Sequence, residues 1–328
     1  MSADEQGQAV AAKRRGRIRT RWLVVGIVVV VLAAYLGVIS LYAASGRPLT
    51  SGDPVGVQSE DVVVALTAKA VSGTAEHITM DVKISPPESM LDPRDGITMT
   101  QDLSVLITPV DGEQAITLKS GSIPSTSTIN ILAAGSIENW PFDRYEAGYP
   151  GDAVASGVVI LAYKTVDGAK IDLPTRVVMN GNVPGWNFDV GTVVRPDLGS
   201  VGSQNAEEPI TAVTLTAYRS GSTLAFGFLL LGLLVVMPTL VLIVAILAFT
   251  GKRKVEATLM SWMGAMLFAT IPLRTFLPGS PPIGSWIDFL IVLWVIVALV
   301  AGLGIYVAAW VRWNGPATKP PRPPASES

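Results

Sequence analysis

The sequence predicts an α+β membrane protein: an extracytoplasmic antiparallel β-sandwich joined to four transmembrane α-helices. Three observations carry that expectation. Apolar residues make up 49% of the 328-residue chain and charged residues only 15%, where soluble domains carry about a quarter. The apolar residues gather in four long runs. Between the first and second runs lies a segment, 45–222, whose apolar residues recur with a period of two.

The net charge of −2 gives no reason to expect nucleic acid as a partner. The chain has no cysteine, which excludes disulfides, thiolate metal sites and cysteine nucleophiles, and its single histidine is His77. The outer domain must therefore hold itself together by burial and hydrogen bonds.

Residues 1–21 form a basic N-terminus with Lys13, Arg14, Arg15, Arg17, Arg19 and Arg21. The first span, 22–44, is uncharged and too long for the roughly 7–15-residue apolar region of a cleaved signal, so an uncleaved anchor is expected. The second span is 223–250 and contains Pro238; the third is 257–277, with Pro272 and Arg274 near its end; the fourth is 286–312. Prolines inside spans are read as kinks. Lys252, Arg253 and Lys254 follow the second span and Arg312 ends the fourth, whereas the short outer loop 278–285 has no lysine or arginine. Basic residues stay on the cytoplasmic side of short loops, which places both termini inside and residues 45–222 outside a plasma (inner) membrane. The tail, 313–328, is rich in proline and serine and reads as disordered and cytoplasmic.

In the outer domain, Asp61–Val71 reads as a strand with Val62, Val64, Leu66, Ala68 and Ala70 on one face, and His77–Ile84 continues it. Leu103–Thr108, Ala115–Leu118, Thr128–Leu132, Gly157–Tyr163, Ile171–Met179, Phe188–Val194 and Ala212–Tyr218 follow the same alternation. Asp111–Gly112 and Asp167–Gly168 are hairpin-turn signals. A series of about eight to ten short strands is the pattern of a sandwich. Arg47 and Arg219 flank the domain and are expected at the outer interface, reaching towards phosphate.

The segment Gly135–Asp152 breaks the alternation with Trp140, Pro141, Phe142, Asp143, Arg144 and Tyr145. Rings, a proline and close opposite charges suit an ordered loop. It reads either as a docking surface or as a plug that closes one end of the sandwich or rests on the membrane.

Arg274 and Asp288 stand near the outer ends of adjacent spans, joined by a connector containing Pro278, Gly279, Pro281, Pro282 and Gly284. Prolines restrict φ and glycines permit sharp bends, so the connector is expected to be stiff and to bring the two helix ends together. Asp288 lies near a helix start, where the dipole favours negative charge, and Arg274 is placed to pair with it. A contact with a lipid headgroup or a partner is the other reading of the two charges.

The connector and its flanks, from Leu273-Arg274 through Asp288, resemble a signature of the domain of unknown function 4436 family, and Pro141-Phe142-Asp143-Arg144-Tyr145 is similar to that family too. The resemblance covers most of the chain from the first span onward. It implies one N-terminal span, a large extracytoplasmic region, three further spans and an actinobacterial host, and it supplies no catalytic residue. A Pro-Phe-Asp turn in a sandwich, followed by an arginine just before a span, is also similar to pentameric ligand-gated channels. This chain departs from them in having a span before the domain and three after it.

No Gly-rich phosphate loop, His-Glu-x-x-His helix or Gly-x-Ser-x-Gly elbow is present. An enzyme is therefore not expected, nor are a cofactor, a metal or catalytic residues. The leading expectation is a non-catalytic membrane protein whose outer sandwich binds a partner or ligand in the cell envelope. The lipid bilayer and a membrane or envelope protein are the partners it implies, with a homo-oligomer left open. A channel- or transporter-like receptor and a membrane-bound hydrolase are the alternatives.

Overall fold

A computed structural model describes residues 60–148, 157–195 and 210–313, with 49–51 and part of 26–41. The basic N-terminus, most of the first span, Arg47 and the tail beyond Trp313 lie outside the described residues.

The described positions between 26 and 41 are helical (α1). Among the described residues thirteen strands follow: β1 (Leu49–Ser51), β2 (Val62–Ser72), β3 (His77–Ser85), β4 (Leu103–Thr108), β5 (Val110–Asp111), β6 (Ala115–Leu118), β7 (Thr126–Gly135), β8 (Arg144–Ala147), β9 (Val159–Val166), β10 (Ala169–Leu173), β11 (Thr175–Gly181), β12 (Trp186–Arg195) and β13 (Ile210–Arg219). Then come α2 (Gly221–Phe249), α3 (Ala257–Thr275), a π-helical turn (Asp288–Val292) and α4 (Leu293–Trp313).

The strands make a nine-stranded sheet, β1-β11-β2-β3-β7-β8-β13-β12 with β5 beside β7, and a four-stranded sheet, β10-β9-β4-β6. One core joins them: Val62, Val64, Leu66, Ile78, Met80 and Val82 from the large sheet meet Leu103, Val105, Ile107, Leu118 and Ile160 from the small one. Alternation puts these side chains inside, because successive residues of a strand point to opposite faces.

Several expectations need correction. Ala70 does not share the face of Val62 to Ala68: the pairing with β3 shifts between Ala68 and Ala70, and the bulge turns Ala70 outward. The run Ile171–Met179 is two strands split at Pro174; β10 joins the small sheet and β11 the large one. The sheets are not wholly antiparallel, since β11 runs parallel to β2. Residues 144–147, read as loop, form β8, whose Tyr145 and Ala147 point into the core. At the Asp167–Gly168 hairpin the expectation holds: both residues have positive φ between β9 and β10.

Two helices among the described residues, Gly221–Phe249 and Asp288–Trp313, are long and apolar enough to cross a membrane. At 1.5 Å per residue α2 is about 43 Å long. It packs along α4, where Gly302 leaves room for Val241. Shorter α3 packs on α4, and the buried Tyr306 hydroxyl of α4 bonds the main chain of Glu256 at the α3 start, accepting from its amide and donating to its carbonyl, both at 2.9 Å.

Candidate functional site at the domain–helix junction

Strand β13 ends at Arg219 and α2 begins at Gly221, so Ser220 alone joins the β-rich domain to a helix long enough to span. Ser220 caps α2: its hydroxyl accepts from the Thr223 amide at 3.4 Å. Its own amide donates to the Gly185 carbonyl at 2.9 Å, and the Thr223 hydroxyl donates to the same oxygen at 3.2 Å. The strand-to-helix joint is thus tied back to the turn before β12.

Arg219 is buried, not exposed to phosphate as its position before a span suggests. Its Nε donates to Asp143 Oδ1 at 3.0 Å, and its Nη2 donates to Asp143 Oδ2 at 2.8 Å. Asp143 is only 1% exposed. A doubly bonded guanidinium–carboxylate pair offsets the cost of burying both charges, where one hydrogen bond would leave lone pairs unmet. The Tyr145 hydroxyl adds a third donor, to Asp143 Oδ2 at 3.1 Å. Burial, with the Asp143 charge and hydrogen bond behind it, pushes the Tyr145 phenol well above its ordinary value. The other face of the arginine lies over the Trp186 ring, 4.1 Å from its centroid, and Tyr145 meets that ring edge-on at 5.5 Å.

The loop that supplies Asp143 also reaches the helices. Trp140 is fully buried and belongs to the helix core, with Leu230, Leu231, Leu277 and Ile287. Its Nε1 donates to the Pro278 carbonyl at 2.7 Å, and its ring lies against Gly227 of α2. Gly279 follows at φ +78°, and a side chain there would strike the Arg219 guanidinium. Glycine is required twice over, for the backbone angle and for the approach.

The connector is held by the second charge pair. Arg274 Nη2 donates to Asp288 Oδ2 at 2.8 Å and its Nε to Oδ1 at 3.1 Å. The same guanidinium donates to the Pro281 carbonyl at 2.9 Å and the Pro282 carbonyl at 3.0 Å. Asp288 Oδ2 also accepts from the Gly284 amide at 2.9 Å. Arg274, Asp288, Pro281, Pro282 and Gly284 therefore shape the loop, and Pro278 and Gly279 present it to the β-rich domain.

The structure brings Trp140, Asp143 and Tyr145 together with Pro278 and Gly279, and it sorts their neighbours otherwise. Pro141 is buried, and Phe142 points outward, 61% exposed, beside Phe228 of α2 at 6.0 Å between ring centroids. Arg144 is exposed on β8. The segment read as a docking surface, or as a plug that closes the sandwich or rests on the membrane, divides between two cores: Tyr145 enters the core between the sheets, and Trp140 enters the helix core, where its indole finds an apolar pocket and the Pro278 carbonyl. Arg219, Trp186, Gly185 and Gly227 complete the junction; sequence reasoning singled out Arg219, as an interfacial residue and as the arginine that follows a Pro-Phe-Asp turn, and missed the other three. The one local signal is the sequence Tyr218-Arg219-Ser220, an arginine closing an alternating strand directly before a helix cap.

Two families of unknown function match the chain. A domain of unknown function (DUF4436) matches residues 53–216. The chain belongs to the DUF4436 family. A second domain of unknown function (DUF8686) matches residues 219–313. The connector thus falls in the DUF8686 segment, and the DUF4436 match stops short of the helices rather than covering most of the chain. The boundary between the two matches coincides with the joint at Arg219. No curated protein matches this DUF4436 chain.

Proposed function

We propose that this DUF4436 protein is a non-catalytic, multi-pass membrane protein whose outer β-sandwich binds a partner or ligand in the cell envelope and is seated firmly on its helices. One observation carries the reading: a single loop both neutralises the arginine at the strand–helix joint and buries Trp140 among the helices. A domain that merely hung from an anchor would need no such second attachment. The connector 278–285 lies at the domain end of the helices and the basic turn Lys252-Arg253-Lys254 at the far end of α2, which supports four spans with both termini inside.

Co-purification of the full chain from gently solubilised membranes tests the proposal. A partner retained by the intact protein and lost when the outer domain is clipped away is expected; a strictly monomeric, partnerless protein would count against it. Thiol labelling of single cysteines introduced in the β-rich domain of intact cells tests the orientation, and protection from an impermeant reagent would overturn it.

The second reading is a channel- or transporter-like receptor. The Pro141-Phe142-Asp143 turn bonded to Arg219 just before a span favours it, as does the similarity of that turn to ligand-gated channels. A ring-shaped homo-oligomer with α3 lining a pore is its expected signature, and a lone unit would exclude it.

A further inference from the structure

At the end of the helices remote from the β-rich domain, the turn between α2 and α3 folds against the last turn of α4. Helix α2 closes with paired backbone bonds, Gly251 amide to Ala248 carbonyl at 3.0 Å and Lys252 amide to Leu247 carbonyl at 3.1 Å. Gly251 takes φ +73°, and its bare Cα lets the Trp313 ring come close. The Arg312 guanidinium lies 5.4 Å from the Trp313 ring centroid and 5.5 Å from that of Phe249. Between these parts is a cleft of about 320 Å³ lined by Gly251, Arg253, Lys254, Val255 and Trp313.

The charges around the cleft are of one sign. Lys252, Arg253 and Lys254 come from the turn and Arg312 from α4, and none is ion-paired with a carboxylate among the described residues. The turn's one acid, Glu256, does not line the cleft. We propose that this cleft binds a phosphate ester, supplied by the headgroup of an anionic membrane lipid. The guanidinium and ammonium supply donors for the phosphate oxygens. Trp313 is the kind of amphipathic ring enriched at headgroup depth, and the exposed apolar side chains of α2 and α4, Phe249 among them, offer a path for acyl chains. The choice of a lipid as the source rests on the proposed membrane function; the phosphate site itself does not.

The full chain in neutral detergent, offered equal phosphatidylglycerol and phosphatidylcholine, is read by native mass spectrometry for retained lipid. The intact protein should prefer phosphatidylglycerol. Arg253→Gln and Lys254→Gln should each lower its retention about fivefold. Trp313→Ala, which keeps every charge, should lower it too by removing a wall. Neutralising Lys13, Arg14 and Arg15 should leave it intact. Unchanged retention in the Arg253→Gln/Lys254→Gln double variant, or in Trp313→Ala, would overturn the site in favour of diffuse attraction, provided melting in neutral detergent shows each variant folded. Glycerol phosphate offered without lipid separates the sources: binding that depends on Arg253 and Lys254 keeps the site and assigns it to a soluble ester, and no binding leaves the lipid as its ligand.

Discussion

Asp143 and Arg219 are separated by 76 positions in the chain, yet each is the other's reason for being buried. Removing one partner leaves an uncompensated charge, which costs about 3–5 kcal/mol, whereas removing both does not. Asp143→Asn and Arg219→Gln should therefore each lower the melting temperature of the full protein sharply. Asp143→Ala combined with Arg219→Leu should recover most of what Asp143→Ala and Arg219→Leu each lose alone, as read by a double-mutant cycle over those two substitutions; additive losses would show that the two do not act as a pair. Tyr145 contributes a different signature. Its pKa is raised on folding from an unfolded value near 10.0, so its contribution is complete below that pH and is lost as pH rises above it. Tyr145→Phe should lose about 1.5–3 kcal/mol at neutral pH, the worth of a hydrogen bond to a charged group. It should also flatten the alkaline fall in stability; an unchanged alkaline limb would place the sensitive group elsewhere. Outside the junction the acids do local work. Asp95 accepts from the Ile97 and Thr98 amides and the Thr98 hydroxyl, and these bonds hold its carboxyl below the usual range.

Among the elements, the connector shows how far local reasoning reaches. Arg274 and Asp288 lie 14 positions apart across a proline-rich turn, so the turn alone brings them together and the pairing is legible in the sequence. The seat of Trp140 on Pro278, at a separation of 138, has no such local cause. Strand β4 was legible to the residue because its alternation is clean, and short β6 because the Asp111–Gly112 turn and the polar residues around it mark its ends. Strand β8 was not, because exposed Arg144 and Glu146 flank its buried positions and the preceding prolyl turn reads as loop. Sheet membership was also hidden: alternation shows that 171–179 has an inward face but cannot show that Pro174 sends its halves to different sheets. Arg274→Ala removes the Asp288 pair and two carbonyl contacts at once and should cost about 1.5–3 kcal/mol, checked by melting and by complex formation in membranes. Gly279→Ala should be as damaging through a different route, since it strains the φ +78° backbone and displaces Arg219. Normal melting of Gly279→Ala would mean that the guanidinium does not need the bare backbone.

Across the whole molecule, the two attachments decide how the β-rich domain moves. Ser220 by itself is a one-residue hinge, and a domain held only there would sample many tilts about the start of α2. The Trp140 seat adds a second point, against Gly227 two turns along α2 and on the Pro278 carbonyl of the α3–α4 connector, and two separated points remove free tilting about the first. The consequence is rigid coupling: anything that tilts the domain must also move the connector and the ends of α3 and α4 that it joins. The absence of native cysteines makes this measurable with spin labels at Lys119 of the domain and Lys252 at the far end of α2. The intact protein in lipid should give one narrow distance distribution. Trp140→Ala should broaden it while leaving the β-rich domain folded, because the indole contributes to the helix core and not to the core between the sheets. Asp143→Asn should broaden it less, since Trp140 keeps its seat. A distribution that stays narrow in Trp140→Ala would show that the domain is held in place without the indole, and the rigid seating would lose its physical basis.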